Sequence, residues 1–191
     1  MKIKLLLTLL LIPAIAFLQP SKDTSAPYFK SHSYPNIKIL LTDSVTVYTK
    51  ADIPKDKTVA FIFFSPDCEH CQLTAKELVK KIDSLQNILM IWCGPSYLPV
   101  ADTKAFYEKY QLNQFPNIIM GKEMDYYMPI FYRIEITPYV AIYKNGIFYT
   151  ELRNGFTAKD LIYISNYNYI IPTYPTEPSI EKKKNKKGKN K

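Results

Sequence analysis

Cys68 and Cys71, separated by Glu69 and His70, are the residues of this sequence whose spacing most directly suggests chemistry. Thiolates and imidazoles bind zinc, two close thiols form a structural disulfide, and a pair of thiols also exchanges electrons with other disulfides. The four residues alone are compatible with all three. The elements that position the two cysteines are therefore what distinguishes these chemistries.

The motif lies between a predicted strand and a predicted helix. Residues 58–64 (TVAFIFF) are a continuous apolar run rich in β-formers, which is typical of a strand buried on both faces, and Pro66 ends it. Apolar residues then recur at helical spacing, which predicts a helix from Cys68 to about Gln86. Residues 87–93 (NILMIWC) predict a second buried strand. Together these elements predict a right-handed βαβ unit.

The predicted helix gives the two thiols different surroundings. Cys68 lies at the helix N-terminus, where unpaired N–H groups and the positive end of the dipole stabilise a thiolate. Cys71 belongs to the buried apolar stripe. A protonated His70 would lower the pKa of Cys68 further, whereas Glu69 and Asp67 would oppose it. This asymmetry favours a redox-active dithiol, in which Cys71 attacks a mixed disulfide formed on Cys68.

Two other interpretations of the motif stay open. One is a small structural disulfide. The other is a metal site, in which Cys93 or His32 would complete a tetrahedral zinc set. His70 points away from the two cysteines if the segment is helical, and the sequence contains no second CxxC and no HxxxH. Cys93 itself, at the end of the second strand, is expected to be a small buried hydrophobe or else a spare thiol.

The remaining elements are assigned from pattern. Residues 36–49 predict two short strands, 102–110 a helix, and 139–143 with 146–152 a hairpin around Asn145-Gly146. Thr157 is a cap-like residue that opens a last helix. Residues 113–136 are aromatic and show no clean period, so we expect an irregular insertion there. Its aromatic pairs at 126–127 and 131–132 suggest either carbohydrate or peptide binding or, more simply, core residues.

The order of these elements resembles the thioredoxin superfamily: a hairpin, a strand, CxxC at a helix start, a strand, a helix, and Thr137-Pro138 opening a further strand. Residues 38–71 are similar to the start of the exported TlpA-like thiol-disulfide oxidoreductases. The resemblance covers about residues 37–166. It implies an α/β thioredoxin-like fold, in which a central mixed sheet has flanking helices and an N-terminal β-hairpin.

The resemblance also implies roles for individual residues. Cys68 matches the attacking thiol and Cys71 the resolving thiol, and the two form a Cys68–Cys71 disulfide when oxidised. Thr137 and Pro138 match the cis-proline loop that holds an incoming chain. The implied activity is a thiol-disulfide oxidoreductase without a cofactor, working preferentially as a reductant. Its partners would be protein thiols and disulfides, including an upstream redox partner in the membrane or envelope. A thioredoxin-fold binding module is the alternative.

Some residues depart from the family pattern. Asp67 stands where the family usually has Trp before the first cysteine, and the strand at 58–64 carries no buried acid to accept a proton from the resolving thiol. Glu135, two residues before Thr137, is a candidate substitute. A solvent-facing acid is the other interpretation of this residue. These departures concern the redox poise and the proton path more than the class of chemistry.

The termini account for most of the charge. The net charge is +8, of which Lys2 and Lys4 supply two charges and residues 177–191, with seven lysines and two glutamates, supply five. The body of the chain therefore carries only about +1, which argues against a nucleic-acid partner. Residues 1–16 predict a signal peptide ending at Ala14-Ile15-Ala16, with an uncleaved anchor as the alternative. We expect a loose lead-in over 17–35, a domain over 36–171 and a disordered Lys-rich tail over 172–191. The mature chain would carry no transmembrane span and would be periplasmic or otherwise exported.

Overall fold

The computed structural model describes residues 26–167. The predicted signal peptide, the first part of the lead-in and the predicted tail lie outside the described residues. Within the described range the strands are β1 (Lys38–Leu41), β2 (Val47–Thr49), β3 (Thr58–Phe63), β4 (Ile88–Gly94), β5 (Ile118–Glu123), β6 (Tyr139–Lys144) and β7 (Ile147–Leu152). The α-helices are α1 (Pro27–Ser31), α2 (Glu69–Lys80), α3 (Val100–Lys109), α4 (Tyr127–Tyr132) and α5 (Ala158–Asn166). None of the helices in this range is long and apolar enough to cross a bilayer.

The strands form one mixed sheet in the order β2-β1-β5-β4-β3-β6-β7. The three central strands β3, β4 and β5 run parallel, which confirms the predicted βαβ unit, and β1 and β6 flank them in the antiparallel direction. The predicted N-terminal hairpin is β1–β2, and the predicted C-terminal hairpin is β6–β7. Because β6 is antiparallel to β3, the start of β6 lies beside the end of β3, where α2 and the two cysteines follow.

Each face of the sheet carries its own apolar core. On the first face, α2, α3 and α5 pack against alternate residues of β3 and β4. This core includes Cys71, Leu78, Trp92, Phe106 and Leu161. On the second face, α1 and α4 cover the other residues of the same strands. This core includes Phe61, Cys93, Tyr132 and Tyr143. Strands β3 and β4 are buried on both faces, which explains their continuous apolar sequences.

Residues 26–35 correct the expectation of a loose lead-in. Pro27–Ser31 is a short helix, and Tyr28, Phe29 and Tyr34 are buried in the core of the second face. Ser33 also forms a bridge with Ile147 of β7. The aromatic side chains supply enough apolar area to hold this segment against the sheet. The domain therefore begins upstream of the predicted boundary at residue 36.

The expected irregular insertion at 113–136 is also wrong, because it contains the interior strand β5 and the helix α4. The segment shows no clean hydrophobic period, and Gly121 is one reason for this. A Cβ at Gly121 would lie 2.6 Å from Cγ2 of Ile39, so the close approach of β1 requires glycine there. A strand of six residues that contains glycine, lysine and glutamate does not read as a buried strand.

Candidate active site

The turn between β3 and α2 places Cys68 at the helix N-terminus. The backbone N–H of Cys68 donates to the carbonyl of Ser65 at 3.1 Å, and the side-chain amide of Gln72 donates to the carbonyl of Pro66 at 2.9 Å. Cys68 is the N-cap of α2, and its Sγ accepts a hydrogen bond from the backbone N–H of Cys71 at 3.3 Å. A cysteine thus occupies the capping position that Ser or Asp commonly fills.

The environment of Cys68 favours its thiolate. Partial burial alone would raise the pKa of Cys68, but hydrogen bonds from the Cys71 and Thr137 side chains and from the backbone N–H groups of Cys71 and His70 outweigh it and lower the pKa. Each of these donors stabilises the charged sulfur more than the neutral one. The side chain is half-buried, so the sulfur remains accessible.

Cys71 has the opposite character. Its side chain is fully buried, and it lies one helical turn below Cys68 in the core of the first face. Burial raises the pKa of Cys71 to about 12, and its hydrogen bond to Cys68 acts in the same direction. Both cysteines are free thiols in this structure. The pair therefore consists of one accessible thiol that ionises readily and one buried thiol that keeps its proton.

The loop before β6 completes the surroundings of Cys68. The Thr137–Pro138 peptide bond is cis, which is the geometry that the resemblance implied. The thiol of Cys68 donates to the carbonyl of Thr137 at 3.4 Å. Thr137 is half-buried and Pro138 is buried beside it. The structure thus brings together Cys68, Cys71, Thr137 and Pro138.

The charged neighbours of Cys68 lie in solvent. The side chains of Asp67, Glu69 and His70 are all exposed. The part of His70 that contacts the sulfur is its backbone N–H. Sequence reasoning assigned the influence of His70 to its imidazole, whereas the contact in the structure comes from the main chain of the first helical turn.

Glu135 and Glu123 differ in burial, and the buried Glu123 lies beside Cys93 and not beside Cys71. Glu135, the candidate substitute acid, is exposed, as its solvent-facing interpretation predicted. Glu123 is the buried carboxylate of the described residues, with 1% of its surface exposed. Its Oε2 accepts from the backbone N–H of Met128 at 2.8 Å, and burial raises the pKa of Glu123. The sequence does not indicate Glu123 as a buried residue, because β5 shows no clean hydrophobic period.

Cys93 belongs to a different part of the molecule. It is fully buried in the core of the second face, whereas Cys71 is in the core of the first. Burial and the nearby Glu123 raise the pKa of Cys93 well above that of an ordinary thiol. Cys93 is therefore a buried small hydrophobe. Within residues 26–167 no group of three or more His, Cys, Asp or Glu side chains is arranged to hold a metal ion, so neither Cys93 nor His32 completes a zinc set with the motif there.

The aromatic pairs of 126–127 and 131–132 are mainly core residues. Phe131 and Tyr132 are buried, and Tyr127 stacks on Phe131 with ring centroids 5.2 Å apart. Tyr126 is 47% exposed. The pairs do not form an exposed aromatic platform, which removes the main reason for a carbohydrate-binding interpretation.

No protein-family model and no curated protein matches the sequence. The structure is similar to several solved proteins. A secreted Mycobacterium tuberculosis disulfide oxidoreductase homologous to DsbE is 17% identical over 69% of this chain and 92% of its own, with a TM-score of 0.55. The thioredoxin domain of a thiol-disulfide oxidoreductase from Bacteroides vulgatus is 16% identical over 70% and 92%, with a TM-score of 0.52. Copper-bound ScoI from Arabidopsis thaliana is 12% identical over 71% and 99%, also with a TM-score of 0.52.

At these identities the likeness concerns the fold, and it confirms the predicted thioredoxin-like α/β architecture. The chain has a thioredoxin-like fold in which a CxxC pair begins the helix after a central strand and a cis-proline lies against the first cysteine.

Proposed function

We propose that this chain is an exported thiol-disulfide oxidoreductase that exchanges electrons with partner proteins through Cys68 and Cys71, preferentially as a reductant. The observation that carries the proposal is the asymmetry of the two thiols. Cys68 is accessible and has a lowered pKa, whereas Cys71 is buried beneath it with a pKa raised to about 12. A structural disulfide requires no such difference.

The reaction proceeds in two exchanges. The Cys68 thiolate attacks one sulfur of a partner disulfide, the partner S–S bond breaks, and the released partner thiolate takes up a proton. The product is a mixed disulfide on Cys68. Cys71 then loses its proton and attacks the Cys68 sulfur, which releases the second partner thiol and leaves a Cys68–Cys71 disulfide. Two electrons pass to the partner, and an upstream redox partner in the membrane or envelope restores the dithiol.

The cis-proline loop would hold the partner during these steps. Backbone groups of Thr137 lie against Cys68, where an extended partner segment can add hydrogen bonds beside the reacting sulfur. Thr137 and Pro138 would thus fix the partner backbone, and the exposed Glu69 and His70 would contact its flanking residues.

The roles of the cysteines are tested by trapping. A Cys71→Ser variant should accumulate partner proteins as mixed disulfides that reductant releases, whereas Cys68→Ser should trap none and lose turnover. Cys93→Ser is the matched control, because it removes a buried thiol from the other face, and it should behave as the unchanged protein. Trapping by Cys68→Ser, or none by Cys71→Ser, contradicts the assignment.

The direction of electron flow is tested by the redox potential. Purified protein is equilibrated in glutathione or dithiothreitol buffers, and alkylated thiols are counted by mass. A value of about −270 mV supports a reductant, and a value of about −120 mV indicates an oxidant. A disulfide that no physiological reductant opens supports the binding-module alternative. If the two thiols never pair, native mass spectrometry with and without chelator tests the metal-binding alternative.

A further inference from the structure

The segment 133–138 connects α4 to β6 and ends at the cis Thr137–Pro138 bond. It forms neither helix nor strand, and the side chains of Arg133, Glu135 and Ile136 are exposed. Its position relative to Cys68 depends on the contacts at its two ends and on Ile134, whose N–H donates to the carbonyl of Pro129 at 2.9 Å. Both ends are bound by one pair of charged residues at the end of β7, Glu151 and Arg153.

Arg153 holds the start of the segment. Its Nη2 donates to the carbonyl of Tyr132 at 2.7 Å, and its Nη1 donates to the carbonyl of Arg133 at 2.9 Å. These carbonyls belong to the C-terminal end of α4, where the left-handed C-cap at Arg133 (φ 52°) ends the helix. Carbonyls at a helix C-terminus lack partners within the helix, so the guanidinium supplies the missing donors.

Glu151 binds the side chain of Tyr139, the first residue of β6. Its Oε2 accepts from the hydroxyl of Tyr139 at 2.7 Å, and Tyr139 directly follows Pro138. Its Oε1 accepts from Nε of Arg153 at 3.1 Å and from the hydroxyl of Tyr28 at 2.7 Å. The Glu151 side chain is 11% exposed and the Arg153 side chain is 37% exposed, so solvent screens the pair in part.

We propose that the Glu151–Arg153 ion pair is a positioning device that fixes the cis-proline loop against Cys68 and thereby sets the reactivity of that thiol. The inference rests on the proposed thiol exchange, since the loop concerns partner proteins only if Cys68 reacts with them. Neither residue is a catalytic group, because neither touches the sulfur. They act through Thr137, which lies between the two bound ends and contacts Cys68.

The direction of the effect follows from the two bonds that Thr137 makes. Its side chain stabilises the Cys68 thiolate, and its carbonyl accepts from the neutral thiol. A hydrogen bond to a charged group is about twice as strong as one between neutral groups. Moving Thr137 away therefore destabilises the thiolate form of Cys68 more than the thiol form. The pKa of Cys68 rises, and less of the reactive thiolate is present near neutral pH.

The test measures the rate of Cys68 alkylation by iodoacetamide as a function of pH in Cys71→Ser/Cys93→Ser protein, which keeps one thiol. Arg153→Gln and Glu151→Ala should each shift the pH profile upward, so that the rate at pH 7 falls by about threefold to tenfold, while the rate at high pH is unchanged. Arg153→Lys should lie between, because one ammonium cannot reproduce the guanidinium fork.

The two variants distinguish positioning from simple charge. Removing a cation would raise the thiol pKa and removing an anion would lower it, so a through-space effect gives shifts of opposite sign. Positioning gives shifts of the same sign, with less than additive effects in the double variant. Lys144→Gln is the matched control, because it removes a cation at the far end of β6 and should leave the profile unchanged.

A lower urea midpoint with an unchanged alkylation profile would overturn the proposal and leave the pair as a stability element. Opposite shifts in the two variants would overturn it in favour of charge alone. Neither result depends on a partner protein, since alkylation needs only an accessible thiol. A failure of partner trapping is thus distinguishable from a failure of this inference.

Discussion

The carbonyl oxygen of Thr137 lies 3.4 Å from the sulfur of Cys68, although 69 positions separate the two residues in the chain. The contact exists because β6 runs antiparallel to β3 and starts where β3 ends. It joins the thiol to the loop that would hold a partner backbone. A change at Thr137 can therefore affect both the ionisation of Cys68 and the docking of a partner.

The hydroxyl of Thr137 should matter for ionisation. In Thr137→Val the donor to the sulfur is lost while the shape is kept, so we expect the pKa of Cys68 to rise and alkylation at pH 7 to slow by about threefold to tenfold. Thr137→Ser keeps the hydroxyl and should restore most of the rate. Equal rates in all three proteins would show that the hydroxyl does not act on the sulfur.

The three thiols should label in a fixed order. Cys68 has a lowered pKa and an accessible sulfur, whereas the pKa values of the buried Cys71 and Cys93 are raised. In the reduced protein at pH 8, iodoacetamide should modify Cys68 at least about tenfold faster than the other two. Peptide mass spectrometry over time measures the order. The fast phase should vanish in Cys68→Ser, and its persistence there would contradict the assignment.

The imidazole of His70 should have little influence on Cys68. It is exposed, and the contact with the sulfur comes from the backbone N–H, which substitution does not remove. We expect His70→Gln to change the alkylation rate at pH 7 by less than about twofold, because exposed charges interact weakly. Glu69→Gln is the companion variant and should behave alike. A tenfold change of the alkylation rate in either variant would show that the charged side chain does influence the Cys68 sulfur, as the sequence analysis predicts.

Buried phenols and Cys71 should make the fold sensitive to alkali. Burial raises the pKa of Tyr28 to about 12, and it also raises those of Tyr132, Tyr139 and Tyr143. A group whose pKa is raised on folding stabilises the fold below its unfolded pKa, and this contribution is lost as pH rises toward the folded value. A single phenol raised by two pKa units contributes roughly 2 kcal/mol of this loss, so the five groups together should lower the free energy of unfolding by at least several kcal/mol between about pH 9 and 12.

Urea unfolding at a series of pH values measures this loss. A Tyr28→Phe variant has one fewer titrating group and should lose less stability over the same interval. Cys68 contributes with the opposite sign, since its lowered pKa stabilises the fold above the ordinary thiol pKa and that contribution is lost as pH falls. A stability that stays constant up to pH 12 would mean that the phenols ionise without cost.

The βαβ unit was predictable because its signals are local. The apolar runs at 58–64 and 87–93 and the helical spacing after Cys71 each require only a short window of sequence. The capping position of Cys68 followed from them, as did the burial of Cys71. Only the end of the helix differed, since α2 stops at Lys80 and a 3-10 turn, Ile82–Leu85, follows.

The parts that were missed depend on long-range contacts. Tyr28 and Phe29 lie in a helix of five residues, too short to show a period, and their burial depends on β7 and α4. The binding of Arg153 to the carbonyls at the end of α4 joins residues 20 and 21 positions apart and leaves no pattern in the sequence. A Glu in an edge strand and an Arg directly after the strand read as ordinary surface residues.

The packing of α1 has a practical consequence for recombinant production. A chain that starts at residue 36 would lack Tyr28, Phe29 and Tyr34, whose rings contact Phe148 and Tyr143. The uncovered aromatic rings would form an exposed hydrophobic patch, and we expect the truncated protein to aggregate during purification. It would also deprive Glu151 of Tyr28, one of the two phenols that donate to it, so a shortened chain would be an unreliable reagent for measuring Cys68.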